Sequence, residues 1–136
     1  ARGIEGRPFP WGFESPQCEH VNVARFQGQS CSAMKGNTVP VASATQDVTP
    51  DGVYDLAGNV AEWVMDAFLD TYPDCPEPCR DPQVVPDILP SQRRQRAVRG
   101  GSWNWSVWST RSASRSRWWA DEAVQNIGFR CVASVK

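Results

Sequence analysis

Residues 51–66 read DGVYDLAGNVAEWVMD, a glycine-containing turn that leads into an apolar-rich run. The turn residues lie within DLAG, with Gly58 among them. Beyond them Val60, Trp63, Val64, Ala67 and Phe68 recur at three- and four-residue steps, which predicts a core helix over 59–69 with one apolar face. Asp55 and Glu62 bracket the glycine turn with hard oxygen donors, and main-chain carbonyls in such a turn can face inward, which is the donor set calcium requires. Two plainer readings stand beside it: Asp55 as an ordinary turn residue, and Glu62 as the partner of a buried arginine.

Outward from this stretch the chain is irregular. Residues 1–52 show no sustained helical or strand period and alternate polar runs with Gly and Pro, so loops with brief strands, such as 39–41, are expected. A segment at about 70–97 carries Pro73, Pro76, Pro78, Pro82, Pro86 and Pro90 and then SQRRQR, which reads as a long surface excursion. The arginines Arg93, Arg94 and Arg96 have no basic surroundings and read as a solvated face. AVRGGSW, from Ala97, reads as a strand broken by Gly100 and Gly101, and IGFRCVASV as a closing strand. The expected class is α+β with little regular structure.

The whole chain is 136 residues, the size of one ordinary domain. Fourteen basic against 15 acidic residues leave a net charge of −1, which argues against a general nucleic-acid or membrane-surface binder. Mean hydropathy is −0.48, and no run approaches the roughly 18 apolar residues of a spanning helix. The sequence opens at Ala1 without the apolar core of a signal peptide, so a targeting segment is expected to have been removed or to lie upstream.

Five cysteines are many for this length. Cys18 and Cys31 bracket a polar loop, and Cys75 and Cys79 lie in the proline-turn segment CPEPC, so two local disulfides and an oxidising, extracytoplasmic compartment are expected. Closing the first loop contributes on the order of 3 kcal/mol. Zinc ranks below this, because the spacing is wrong for a finger and His20 is the only histidine. Cys131 is left over, either a buried inert thiol or one whose partner lies upstream of Ala1.

Three blocks in order carry a family resemblance: ARGIEGRPFPWG at 1–12, the stretch at 51–66, and VRGGSWNW at 98–105 followed by NIGFRCV at 126–132. Together they resemble the formylglycine-generating enzyme, or sulfatase-modifying factor, family, whose domain is a disulfide-tied variant of the C-type lectin fold. The resemblance implies that residues 1–136 are the C-terminal part of a single domain, whose N-terminal part would be the first partner of this chain. In catalytic members, cysteines at the third and eighth positions after GGS bind copper(I). Here those positions are Trp105 and Thr110, neither of which supplies a thiolate, so copper is not expected and the chain reads as leaning away from catalysis. The family's iron-dependent sulfoxide synthases rest their metal on several histidines, and His20 stands alone. The resemblance also implies a calcium site from the side chains of Asp55 and Glu62 and the carbonyls of Gly58 and Val60. A second family calcium site begins at Asn22 and Val23, but its later acidic member falls near Ala33, which implies a degraded site.

Trp103, Trp105, Trp108, Trp118 and Trp119 concentrate between GGS and NIGFR, interleaved with Arg111, Arg115 and Arg117. Trp and Arg dominate the energetics of binding surfaces. Trp103 is expected in the core, while Asn104, Trp105, Trp108, Arg111, Trp118 and Trp119 form a candidate ligand-binding face. Arg115 and Arg117 are expected to hold carboxylates such as Glu62 and Asp66. The segment is also similar to the terminal region of retroelement-diversified variable proteins, in which variation would fall on Asn104, Trp105, Ser106, Val107, Trp108, Thr110, Ser114, Ser116, Trp118 and Trp119. The functional expectation is a non-catalytic, calcium-binding domain presenting this face to a protein, peptide or small ligand. The competing expectations are a metal-dependent oxidase or sulfatase-modifying enzyme with ligands outside this sequence, a variable binding protein, and a purely structural module whose Trp residues are core.

Overall fold

The computed structural model describes residues 1–18, 20–24, 31, 37–72, 74–75, 83–84 and 94–133. Among them four strands form one sheet: β1 (Ala61–Ala67), β2 (Gln95–Arg99), β3 (Ser116–Trp119) and β4 (Ile127–Gly128), in the order β3-β2-β1-β4. β2 runs antiparallel to both β1 and β3, and β4 lies parallel to β1 with Ala61 opposite Ile127. A single 3₁₀ turn, Val107–Thr110, supplies the helical structure of the described residues. The architecture is mostly sheet and loop, and the α component of the expected class is not among the described residues.

The helix expected over 59–69 is instead the central strand β1. Gly58 and Asn59 both take left-handed backbone, with φ 75° and 59°. That conformation ends any helical continuation and turns the chain into the sheet. Register then explains the misleading period: Trp63 faces Val98 and Ala67 faces Arg96, so four steps on β1 span two on β2. A bulge of this kind interrupts the two-residue alternation and leaves apolar residues at three- and four-residue steps. Burial follows, with Ala61 and Ala67 buried, Met65 exposed and the other strand residues between.

Other boundaries also move. β2 begins at Gln95, so the proline-rich excursion ends before residue 95, and most of it, with Arg93, lies outside the described residues. No strand forms at 39–41, where the chain turns. Among the described residues of the closing run only Ile127 and Gly128 pair, while Phe129, Cys131 and Val132 are exposed. Cys131 is therefore not the buried thiol expected of it.

The main buried cluster among the described residues is built of small side chains. Val21, Val23, Cys31, Ala57 and Val107 form one buried cluster against which Trp11 packs. Trp11 stacks on Phe9 (5.1 Å) and on His20 (4.7 Å), and Gln17 donates its N–H to His20 Nδ1, so Nε2 carries the proton and donates to Gln46. His20 is thereby committed to the fold. The Cys18–Cys31 disulfide closes this corner as expected. Cys75 is also disulfide-bonded, while Cys79, its expected partner, lies outside the described residues.

Candidate functional site

Two loops meet beside the sheet. The first, residues 55–60, precedes β1; the second, residues 100–111, follows β2. Gly58 donates its N–H to the Gly100 carbonyl at 2.8 Å, and Trp103 donates to the Asn59 carbonyl at 2.9 Å. The approach requires glycine at both places, because neither has room for a side chain. A Cβ on Gly58 would stand 2.7 Å from the Asn22 carbonyl oxygen, and one on Gly100 would stand 2.9 Å from the Leu56 carbonyl oxygen.

Of the predicted calcium donors, Asp55 on the first loop meets Arg130 through its backbone carbonyl and Glu62, at the start of β1, through its carboxylate. Arg130 Nε donates to both oxygens of Glu62 at 2.8 Å, its Nη1 to the Tyr54 carbonyl at 2.9 Å and its Nη2 to the Asp55 carbonyl at 2.8 Å. Asp55 Oδ2 accepts the Ala42 N–H at 2.7 Å. The oxygen-rich chemistry fits a hard cation, but both Glu62 oxygens are bonded to the guanidinium. The plainer reading of Glu62, the partner of an arginine, is thus realised by a residue on the tail of β4. Arg115 and Arg117, the arginines expected to hold Glu62 and Asp66, do not. Arg115 donates to the carbonyls of Leu69 and Asp70 and lies over the rings of Phe68 and Tyr72; Arg117 approaches the Asp70 carboxylate; and Asp66 accepts the Val84 N–H. Both arginines meet the segment that leaves the far end of β1, residues 68–72, and not Glu62 near its start.

Behind this cluster lies Asp47, fully buried, with Oδ2 accepting the Ala57 N–H at 2.7 Å and Oδ1 unpartnered. Burial, reinforced by the neighbouring Asp55 and Glu62 charges, pushes its carboxyl up to about 7, against the lowering effect of the Ala57 hydrogen bond and of Arg130. The Arg130 guanidinium is correspondingly held charged by Glu62.

At the second expected metal position, Asn22 is buried and forms a parallel bridge with Gly58. Its Nδ2 donates to the Asn37 carbonyl and to Asn59 Oδ1, which leaves Oδ1 buried without a partner. An orphaned oxygen of this kind fits a cation donor. Val23 beside it is wholly buried, and Ala33 lies outside the described residues.

The second loop carries the candidate ligand face. Val107 and Thr110 are buried and anchor the 3₁₀ turn, with the Thr110 hydroxyl donating to the Val107 carbonyl. Between them Trp108 is turned outward, 61% exposed, with the Arg111 guanidinium 5.5 Å from its ring centre. That separation lies within the range of a cation–π contact. Asn104 is exposed yet fixed, because its Oδ1 accepts from the buried Ser102 hydroxyl at 2.7 Å and from Asn126 Nδ2 at 2.8 Å. Trp105 is half-buried and tied through its backbone to Ser102 and Ala24. Trp118 and Trp119 are half-buried on β3, opposite Arg96 and Gln95, and the Trp118 ring N–H is buried without a partner. Trp103 is also half-buried, not the core residue expected, since Ser102 takes the buried position beside it. The structure thus groups Asn104, Trp105, Trp108 and Arg111 on one loop and places Trp118 and Trp119 on a strand. Reading the sequence missed three supports: Arg130, Asp47 and Asn126. Arg130 and Asn126 lie in the NIGFR block, but nothing in that block names their partners 22 to 76 residues away.

Comparison with known proteins accords with this geometry. The sulfatase-modifying factor enzyme 1-like domain matches residues 1–135. Formylglycine-generating enzyme of Mus musculus is 30% identical over 139 residues, covering 96% of this chain and 35% of the mouse protein. PvdO from Pseudomonas aeruginosa superposes with a TM-score of 0.69 at 27% identity, covering 95% of this chain and 46% of PvdO. Treponema denticola variable protein 1 superposes with a TM-score of 0.58 at 25% identity, covering 89% of this chain and 39% of that protein. The chain therefore spans less than half the length of each of these relatives. With a match along nearly its whole length and the fold to accompany it, the chain belongs to the sulfatase-modifying factor enzyme 1-like domain family.

Proposed function

We propose that the chain is the C-terminal part of a sulfatase-modifying-factor domain of C-type lectin-like design, and that it serves as a non-catalytic binding module. The observation that carries this reading is the second loop. The two positions at which the catalytic pattern requires copper-binding thiolates hold Trp105 and Thr110, and Thr110 is spent on an internal hydrogen bond to Val107. The same loop presents Trp108 stacked with Arg111 beside an Asn104 held by Ser102 and Asn126, a rigid aromatic and polar surface suited to a protein, peptide or small ligand. The likeness to a Treponema variable protein supports the same assignment.

Calcium belongs to the proposal. Asp55 and Glu62, with the carbonyls of Gly58 and Val60, would hold it, and Arg130 would release one Glu62 oxygen to make room; Asn22 and the Val23 carbonyl offer donors for a second ion. When bound, calcium supplies charge that fixes the first loop, and through the Gly58–Gly100 hydrogen bond the second loop with it. The Cys18–Cys31 disulfide supports an extracytoplasmic location.

The test is metal content and oxygen uptake of the full-length protein. Calcium without copper, iron or oxygen uptake is expected. Copper or iron with uptake would overturn the non-catalytic reading in favour of a metal-dependent oxidase or sulfatase-modifying enzyme, the alternative that the likeness to the mouse enzyme favours.

A further inference from the structure

A cleft of about 270 Å³, lined by Gly3, Ile4, Glu5, Arg7, Pro50 and Asp51, takes no residue from either loop described above. Two hydrogen-bonded turns form its walls. In the first, Gly6 donates to the Gly3 carbonyl at 3.3 Å and Arg7 to the Arg2 carbonyl at 2.9 Å, with Gly3 and Gly6 both in left-handed backbone. In the second, Gly52 donates to the Thr49 carbonyl at 2.8 Å, and Val53 donates to the hydroxyl of Thr49, itself buried. The cleft is thus held open by the backbone. Its volume, just below the ~300–1,000 Å³ of sites for drug-sized ligands, suits a molecule of amino-acid size.

Arg7 is the group in this cleft that the fold does not account for. It is 8% exposed, and its Nε donates to the Arg2 carbonyl at 3.4 Å. Among the described residues neither Nη has an acceptor, and neither Glu5 nor Asp51 comes within ion-pair distance. A buried guanidinium without an anion is costly, whereas one that meets a carboxylate through two N–H groups gains a strong and directional pair. Gly3 makes room for it: a Cβ at that position would stand 2.7 Å from Arg7 Nη2. Glycine there leaves the end of the guanidinium uncovered by any side chain at position 3.

The exposed Glu5 and Asp51 bring two carboxylates to the same cleft, and Ile4 and Pro50 add apolar surface. Such a set selects by charge. Phosphate would be attracted by Arg7 but repelled by both carboxylates, and a simple amine would be attracted by the carboxylates but repelled by Arg7. A molecule with one carboxylate and one ammonium group satisfies both. We infer that the cleft between the turns at 3–6 and 49–52 binds a small zwitterion, an aliphatic α-amino acid. Its carboxylate accepts from the Arg7 Nη groups, its ammonium faces Glu5 and Asp51, and its aliphatic part lies on Ile4 and Pro50. The cleft shares no residue with the loops at 55–60 and 100–111, so the binding reading of the Trp108 loop can fail without affecting it.

The test is equilibrium dialysis of the full-length protein against tritiated alanine, valine and proline, each alone, with acetate and methylamine as probes that carry one charge each. At least one of the amino acids is expected to be retained. Acetate and methylamine are expected to bind about tenfold or more weakly, because each lacks one charged hydrogen-bonding partner. Arg7→Gln and the double variant Glu5→Gln/Asp51→Asn are each expected to weaken retention by about tenfold as well. The double variant changes only exposed side chains, so it decides the matter even where thermal unfolding shows that Arg7→Gln has lost the fold. Retention of none of the three amino acids overturns the inference, as it would if a carboxylate elsewhere in the full-length protein answered Arg7. Unchanged retention in a variant that melts like the wild type also overturns it. So does displacement of the label by inorganic phosphate as readily as by the unlabelled amino acid, because the two carboxylates should exclude that anion.

Discussion

Replacing Arg130 tests the core of the first loop. Its guanidinium bonds both oxygens of Glu62 and two backbone carbonyls, with the Arg130 side chain 35% exposed and that of Glu62 18% exposed. Arg130→Ala leaves a mostly buried carboxylate unpaired near Asp55 and Asp47 and frees two carbonyls that water can reach. Hydrogen bonds to charged groups are worth about 1.5–3 kcal/mol each when enclosed. Screening at a site a third open to water reduces the sum, so the expected loss is about 2–3 kcal/mol. Arg130→Lys keeps the charge but loses the fork that holds both Glu62 oxygens, and recovers about half. The assay is urea unfolding followed by tryptophan fluorescence near pH 7 with EDTA in excess. A double-mutant cycle with Glu62→Gln should give a coupling of about 1–2 kcal/mol. An Arg130→Ala cost below about 0.5 kcal/mol, the range of ordinary surface substitutions, would refute the reasoning. The calcium proposal adds a further arm: with Glu62 released, calcium should stabilise Arg130→Ala more than the wild type, and an equal response in the two would count against Glu62 as a donor.

Asp47→Asn should change the pH dependence of stability. Its carboxyl, pushed up to about 7, stays protonated in the native state where the unfolded chain has already released its proton, so its contribution is full below about pH 4 and is lost as pH rises through 7. Melting temperatures from pH 4 to 8 should converge for variant and wild type at the acid end and favour the variant above 7; parallel curves would show that the buried carboxyl is not titrating. Gly58→Ala places a side chain at φ 75° and 2.7 Å from the Asn22 oxygen. It should cost about 2–3 kcal/mol in urea unfolding; a wild-type midpoint would show that the two loops do not need this close approach. Trp108→Ala should leave stability within about 0.5 kcal/mol, as for other exposed positions. It should nonetheless remove a larger share of iodide-quenchable fluorescence than Trp103→Ala, because Trp108 is the more exposed ring. Equal loss from the two would argue that Trp108 is enclosed.

Much of the site was legible because its signals are local in the chain. The glycine-containing turn at Gly58 and the loop that Cys18 and Cys31 close depend on residue type and near neighbours, while the surface position of Trp108 came from the family resemblance. The secondary structure of 61–67 was not legible, since a β-bulge imitates the helical period and only pairing with β2 and β4 reveals a strand. Ion pairing was not legible either. Glu62 has several arginines from which to choose by sequence, and the parallel placement of β4 beside β1 brings Arg130, 68 residues away, to it in preference to Arg115 or Arg117. The sequence by itself determined the disulfide-closed corner, through the covalent reach of Cys18 and Cys31, and its three ordered motifs determined, by resemblance, the family and the loop that faces outward. Which carboxylate is buried, which arginine answers it and which apolar residues are left uncovered were decided by the tertiary structure alone, because burial and charge pairing depend on distances that only the assembled sheet sets.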